Sequence, residues 1–508
     1  MIAIRKNRIL SIGNSILLLR LEDIVRYPKV FAYCKRENIE VQKLMDVEGI
    51  GLLIDQKSNF EEQSLDFHEI DAGFTTKEAI AEAKRCLNCA KPFCRTGCPI
   101  ENEIPSFIAE LAKGNIGAAS EVIARRSNLP AVCGRVCPHE KQCEAACILN
   151  KKNAGIKIGK LERFIADFDA EMDISPIHKK IVHKGKVAVI GSGPAGLTVA
   201  GDLAKLGFTV TVFEGQKEPG GVLMYGIPEF RLNKEVVRRE IARIERLGVS
   251  FETGILIGPD KTVDELFADG YDAVFMGTGT ALPKELHIPG KDLPGVIQAT
   301  YFLGMVTLAN EKGIDGQEIP VQKGDSVIVI GAGNVAMDAA RTALRVGAAK
   351  VTLVYRRTQD QITALRSEYE EAKAEGVEFS WLMSPKQYLG DKEVTALECE
   401  RQVLLEDGSV KGSGLLEKIS ANKIIVAIGQ RPAARIVSTT EGIEVNPAGF
   451  VITRERPYGM TTRRGVFAGG DVVHEPATVV LAMKAAKQVA QGIAQYVEAK
   501  KLMEECGL

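Results

Sequence analysis

The sequence predicts an α/β chain: two strand–turn–helix–strand units of the doubly wound type behind a small, cysteine-rich helical domain. Three observations predict it. Eight of the eleven cysteines fall between Cys86 and Cys147. Two apolar segments, one beginning at Lys186 and one at Asp325, each run into a glycine-rich turn and then a helical pattern. At 508 residues the chain has room for roughly three domains of about 150 residues. The balance of 65 basic against 66 acidic residues shows no basic field for nucleic acid and no acidic tail.

In the first twenty residues early positive charge precedes some apolar positions, but Ser11, Gly13, Asn14 and Ser15 interrupt them, so no secretory signal is expected. No apolar run approaches the ~18 residues of a membrane span. The expected location is the cytoplasm, where clustered cysteines more often bind metal or do redox work than form disulfides. Residues 1–70 mix short apolar pieces with charged stretches and are expected to form an extension, either a docking element or a surface appendage. Cys34, Cys399 and Cys506 have no ligand-like neighbours and read as ordinary thiols.

From Thr75 the pattern turns helical, with Ala79, Ile80 and Ala83 on one side just ahead of Cys86. The first cysteine run is C-x2-C-x4-C-x3-C-P (Cys86, Cys89, Cys94, Cys98, Pro99), and the second is C-x3-C-x5-C-x3-C (Cys133, Cys137, Cys143, Cys147). Between them the chain reads as two short helices broken at Gly114 to Gly117. Structural zinc sites tend to pair two CxxC units, and only one is present here. A CxxC run ending in Cys-Pro is a ferredoxin-like pattern, in which the fourth cysteine serves another cluster. Soft, anionic thiolates suit iron–sulfide, so iron–sulfur clusters are the expected occupants, with structural zinc as the alternative.

At Lys186 an apolar strand meets Gly191, Gly193 and Gly196 in a G-x-G-x-x-G turn, followed by a helix and a second strand ending in Glu214. These glycines permit a tight turn, close approach of backbone to a pyrophosphate, and close packing of helix on strand. The helix N-terminus points its free N–H groups at the phosphates, and Glu214 is placed to accept hydrogen bonds from a ribose. The second unit carries Gly331, Gly333 and Ala336, and its second strand ends in Arg356 and Arg357 rather than an acid. Guanidinium groups there pair with a 2'-phosphate, which predicts NADP(H). Later, GVFAGGD (465–471) reads as a strand entering a Gly-Gly-Asp turn, followed by an Ala-rich helix from Ala477 to Tyr496. In two-dinucleotide flavoproteins such a segment closes the FAD site, with Asp471 on the flavin side chain. Strand-to-glycine segments at 271–280 and 422–432 mark crossings between domains, so the NADPH domain is expected to be inserted in the FAD domain.

With these residues in hand, the chain resembles the small (beta) subunit of glutamate synthase. It is also similar to the large subunit of NADH-dependent ferredoxin:NADP oxidoreductase and to the N-terminal half of dihydropyrimidine dehydrogenase. The marks are the paired cysteine runs, GSGPAGL (191–197), GGVLMYGIPEFRL (220–232), GAGNVAMD (331–338), YRR (355–357) and GVFAGGD, within about residues 75–500. The resemblance implies two Rossmann-like, glutathione-reductase-like domains behind an α-helical domain with two 4Fe–4S clusters. One cluster would sit on Cys86, Cys89, Cys94 and Cys147; the other would sit on Cys98, Cys137, Cys143 and Glu162, leaving Cys133 unligated. Among the motif residues it implies Gly221, Arg231, Gly470 and Thr478 as contacts of FAD, and Asn334 as a contact of NADP(H). The expected domains are residues 71–183 for the clusters, 184–320 with 436–508 for FAD, and 321–435 for NADPH.

Hydride would enter from NADPH and leave as single electrons through the clusters, with the cofactors supplying the chemistry. No acid–base motif appears, so no catalytic side chain is expected. The family's amidotransferase and FMN-barrel parts do not occur in this chain, so electrons must go to a partner. That partner is expected to be the glutamate synthase large subunit. The alternative is a ferredoxin- or hydrogenase-linked bifurcating complex, with the first seventy residues as its docking element.

Overall fold

The computed structural model describes residues 8–12, 15–19, 65–152, 154–174, 183–433 and 435–507. Most of the expected N-terminal extension, Cys34 included, lies outside the described residues. Two short strands there, β1 (Arg8–Ile12) and β2 (Ser15–Leu19), pair antiparallel with Arg8 opposite Leu19. The rest forms two compact units, one containing Asp71–Ile177 and the other His178–Leu508 together with Leu65–Ile70.

The first unit is helical. Helix α1 (Thr76–Lys84) opens with a capping box in which Thr75 and Glu78 satisfy each other's end groups. It is followed by a single turn, α2 (Phe93–Gly97), then α3 (Ile104–Ala112), α4 (Ile116–Ala124), α5 (Pro130–Val136) and α6 (Ile158–Met172). Glycine at position 114 takes φ +82° between α3 and α4, where the sequence predicted the break. Phe107, Leu111, Leu161 and Ile165 are fully buried and form the centre of its core. Helices α5 and α6 approach so closely that a Cβ on Gly134 would stand 2.6 Å from the Arg163 backbone nitrogen. Only glycine tolerates that approach.

The second unit contains two parallel-strand systems. The first begins with β3 (Lys186–Ile190), β4 (Thr209–Glu214), β5 (Ser250–Thr253) and β6 (Ala273–Met276). The chain then crosses, by way of β7 (Leu282–Pro283), into β8 (Val296–Gln298), β9 (Ser326–Ile330), β10 (Lys350–Tyr355) and β11 (Glu378–Trp381). A meander of β12 (Met383–Gly390), β13 (Val394–Leu404) and β14 (Val410–Ser420) follows, before β15 (Lys423–Val426) and β16 (Gln430–Arg431). The chain returns to the first sheet with β17 (Thr453–Glu455), β18 (Tyr458–Thr461) and β19 (Val466–Ala468).

The first sheet has the order β17-β18-β19-β6-β3-β4-β5 and the second β11-β10-β9-β15-β8. The second sheet is thus inserted within the first, as the fold class predicted. Where the chain leaves and returns, β7 and β16 pair antiparallel, Gln430 opposite Pro283, which ties the two crossings together. The β12–β14 meander is an element that sequence pattern did not single out.

Four helices matter for the sites: α7 (Pro194–Leu206), α8 (Asn334–Arg345), α9 (Arg366–Ala374) and α10 (Val479–Glu505). Helix α10 packs on α7 and runs past the expected end at Tyr496. Its last turns are rich in helix formers, and Lys500 is held by Asp272 at 3.2 Å. Residues 65–70, expected in the extension, strap onto this second unit instead. Phe67 joins the core of the second sheet, Ile70 N–H donates to the Phe230 carbonyl (3.1 Å), and Arg345 Nε donates to the Asp66 carbonyl (2.8 Å).

Candidate functional site

The cysteines gather into two sets in the helical unit. Cys86, Cys89, Cys94 and Cys147 line one cavity, whose other walls include the apolar side chains of Ile104, Ile108 and Ile156. Helix α1 delivers Cys86, α2 carries Cys94, and a short helical turn (Ile148–Lys152) starts directly after Cys147. Burial pushes the Cys94 thiol up to about 11, with Cys86, Cys147 and Cys89 adding repulsion. Cys86 is raised by burial too, with further repulsion from Cys89 and Cys147. Cys86 and Cys94, half-buried in an apolar cavity beside two further thiols, therefore resist ionising. A cationic iron–sulfide core reverses this balance, because metal binding and thiol deprotonation are coupled.

The second set comprises Cys98, Cys133, Cys137, Cys143 and Glu162. Burial pushes Cys98 up to about 11, with Glu162 and Cys133 contributing, and raises Cys143, with Glu162 and Cys98 contributing. Cys137 is raised first by its hydrogen bond with Cys133, then by burial and by repulsion from Cys133, Glu162 and Cys143. Glu162 is 8% exposed, and Asn102 Nδ2 donates to its Oε1 at 3.2 Å. Cys133, which the resemblance leaves unligated, is buried and hydrogen-bonded with Cys137. In donor chemistry the two sets suit 4Fe–4S clusters, soft thiolates with one hard carboxylate, while among the described residues no three such side chains are drawn together around a single metal-ion position.

The backbone that brings Glu162 here depends on two close approaches. One is Gly134 of α5 against Arg163; the other is Gly159, where a Cβ would stand 2.3 Å from the His139 ring. Neither glycine, nor Asn102, could be picked out from sequence, since each acts through a contact distant along the chain.

In the first glycine turn, Gly191 takes φ +92° and its N–H donates to the Phe213 carbonyl (2.8 Å). A Cβ on Gly196 would stand 1.9 Å from the Gly191 carbonyl oxygen, so the third glycine is needed for α7 to meet β3. Gly193, the N-cap of α7, faces open space, where a pyrophosphate would meet the helix N-terminus. Gly221 takes φ +53° and packs against Gly193. Glu214 Oε2 accepts from Ser192 N–H (3.0 Å) and Ser192 Oγ–H (2.5 Å), and Ser192 Oγ accepts from Gly220 N–H (2.8 Å). The acid at the end of β4 therefore braces the turn, and its Oε1 also accepts from Gln216 N–H at 2.8 Å. Gly470 takes φ +75°, where a Cβ would stand 2.9 Å from Ala195 of α7. Burial pushes the neighbouring Asp471 carboxyl up to about 6. Thr478 caps α10 by accepting from Leu481 N–H.

In the second turn, Gly331 takes φ +133°, and a Cβ there would stand 2.3 Å from the Ala427 carbonyl oxygen. Gly333 is the N-cap of α8, Asn334 Oδ1 accepts from Leu365 N–H (2.9 Å), and Ala336 is fully buried. Arg356 and Arg357 follow β10 and are exposed, free to meet a ligand phosphate from solvent. Arg231 is differently engaged. Its guanidinium grips Asp338 of α8 and Glu368 of α9, and Phe230 lies beneath Arg345 at 3.9 Å.

Two cysteine sets in a helical unit, with two glycine-rich dinucleotide turns in an inserted double-sheet unit, define an iron–sulfur flavoprotein oxidoreductase. It moves electrons between NADP(H), FAD and 4Fe–4S clusters. Residues 63–174 match the family described as dihydropyrimidine dehydrogenase domain II, 4Fe-4S cluster, and residues 185–486 match that of pyridine nucleotide-disulphide oxidoreductases. The glutamate synthase [NADPH] small chain of Halomonas elongata is 38% identical over 85% of this chain and 93% of that protein. The NAD-dependent dihydropyrimidine dehydrogenase subunit PreT of Salmonella typhimurium is 35% identical over 85% of this chain and 97% of that one. Mycobacterium tuberculosis FprA in complex with NADPH shares the fold, with TM-score 0.52 and 22% identity over 63% of this chain and 86% of that chain. The chain belongs to the pyridine nucleotide-disulphide oxidoreductase family, in the branch that contains the glutamate synthase small chains. Among the described residues no helix is long and apolar enough to cross a membrane.

Proposed function

We propose that this chain is the electron-input subunit of a glutamate synthase, drawing electrons from NADPH and handing them to a larger partner. The observation that carries this reading is the pair Arg356 and Arg357 at the end of β10, in a chain that also has two cysteine sets. An enzyme that reads the 2'-phosphate and holds clusters beyond its flavin is built to turn a two-electron donor into one-electron deliveries. The flavin supplies that conversion when bound, and the clusters carry the single electrons.

This chain's own residues bind and orient. Gly191, Gly193 and Gly196 present the α7 N-terminus to the FAD pyrophosphate, and Glu214 braces that turn and faces the ribose. Gly470, Asp471 and Thr478 close the site beside α7, at the start of α10. Gly331, Gly333, Asn334 and Ala336 form the NADPH turn. Cys86, Cys89, Cys94 and Cys147 hold one cluster; Cys98, Cys137, Cys143 and Glu162 hold the other.

The similarity to PreT favours a second reading, in which the same input serves a different redox partner. Anaerobically purified protein is mixed with a purified glutamate synthase large subunit, NADPH, glutamine and 2-oxoglutarate. Glutamate formation that requires both chains is the expected result. Flavin bleaching by NADPH without glutamate formation moves the assignment to the second reading, and no bleaching overturns both.

A further inference from the structure

The cavity that holds Cys86, Cys89, Cys94 and Cys147 opens among side chains that do not belong on a solvent face. Leu87 is 60% exposed, Phe93 59% and Ile148 43%, and all three line this same cavity. Single exposed apolar residues are ordinary. Three on the lip of one cavity, each adjacent in sequence to one of its thiols, form a patch. The charge next to these side chains in sequence is mainly basic: residues 84–95 and 145–152 contain Lys84, Arg85, Lys91, Arg95, Lys151 and Lys152 and no aspartate or glutamate, with Arg85 paired to Glu82 at 2.6 Å. Lys84, Lys91, Lys151 and Lys152 are exposed. The whole chain has a formal net charge of −1, so this rim is a local feature rather than a reflection of overall basicity.

We infer that the Leu87–Phe93–Ile148 patch with its lysine rim is the docking surface for an acidic protein that carries a one-electron centre. The inference rests on the reading of this cysteine set as a cluster site. An apolar centre inside a charged rim is the usual anatomy of a protein interface, in which the centre excludes water and the rim orients the partner. The cationic rim selects an acidic partner surface, and a cluster behind the patch places the electron exit under the docked face. A membrane or nucleic acid also carries negative charge, but neither accepts single electrons, so the thiol set favours a redox protein.

The test uses the cluster- and flavin-loaded protein with Lys91→Glu, Lys151→Glu and Lys152→Glu combined, none of them a ligand or cofactor contact. Binding of a purified, strongly acidic ferredoxin is measured by calorimetry at low and moderate salt, and NADPH-dependent ferricyanide reduction is followed alongside. The wild type is expected to bind and to lose affinity by roughly tenfold or more as salt screens the rim. The variant is expected to bind at least tenfold more weakly at low salt, with a flatter salt dependence and unchanged ferricyanide reduction. A second variant, Phe93→Ser, is expected to weaken binding while keeping the salt dependence. Equal binding by wild type and charge-reversed protein, or no binding by wild type at low salt, overturns the docking surface. Loss of ferricyanide reduction in the wild type would instead overturn the functional reading beneath it.

Discussion

Arg231 Nη1 lies 2.8 Å from both carboxylate oxygens of Asp338, 107 residues further along the chain, and its Nη2 lies 2.6 Å from Glu368. Burial opposes the charged guanidinium, yet Asp338 and Glu368 together hold its pKa above the ordinary arginine value. Asp338 is 3% exposed and Glu368 8%, so removing Arg231 takes the guanidinium from the buried Asp338 and leaves Glu368 with Arg341 alone, at 3.2 Å. Breaking a buried pair in this way costs about 3–5 kcal/mol. Arg231→Gln is therefore expected to lower the thermal midpoint of the flavin-loaded protein clearly. Arg231→Lys is expected to recover little, because an ammonium cannot fork across two carboxylates. Loss of FAD affinity in the glutamine variant with an unchanged midpoint would return Arg231 to the direct flavin contact that the motif implied.

Arg356 and Arg357 are exposed at the end of β10, so replacing them should not disturb the core. Hydrogen bonds to a charged group contribute about 1.5–3 kcal/mol each. Substituting both with glutamine is expected to raise KM for NADPH by roughly 100-fold or more, on the same estimate, with little effect on KM for NADH. Steady-state kinetics with both nucleotides checks this. An equal effect on the two would remove the 2'-phosphate from these arginines.

How much of this was legible depended on how local each requirement is. The glycine turns were readable because Gly191, Gly196 and Gly331 meet neighbours only a few residues away or on the adjoining strand, so the constraint is printed in a short motif. The insertion of one sheet in the other was readable because strand-to-glycine segments flank both crossings. What escaped is long-range. Arg231 sits in a motif that suggested a flavin contact, but its partners lie on two helices far along the chain. Asn102 reaches Glu162 across 60 residues. The closeness of α5 and α6, which brings Gly134 against Arg163 next to Glu162, is likewise a contact between segments far apart in the chain. The β12–β14 meander follows from strand pairing, which no short motif records.

Glu162 is the one carboxylate among the donors, held by Asn102 Nδ2 and close to Cys98, Cys137 and Cys143. Glu162→Ala is expected to change the electron paramagnetic resonance signal of one cluster, and its midpoint potential, while sparing the other. Asn102→Ala removes only the donor that orients the carboxylate, so a smaller change in the same signal is expected. An unaltered spectrum in Glu162→Ala would make Glu162 a buried structural carboxylate.

Asp471 gives a pH dependence with a defined sign. Burial raises its carboxyl from 3.8 to about 6 in the folded chain. The folded state therefore holds this proton more tightly than the unfolded state. The associated stability is fully present below the unfolded pKa near 3.8 and is lost as pH rises through about 6. In FAD-free protein, raising the pH from about 5 to 7.5 is expected to destabilise the wild type more than Asp471→Asn, by on the order of 1 kcal/mol. Bound flavin should change this, because a hydroxyl donating to the carboxylate favours its ionised form. FAD binding should then release a proton, and the wild-type affinity should rise between about pH 5 and 7 while the asparagine variant stays flat. Fluorescence titration of FAD across that range measures it. A flat wild-type profile would separate Asp471 from the flavin.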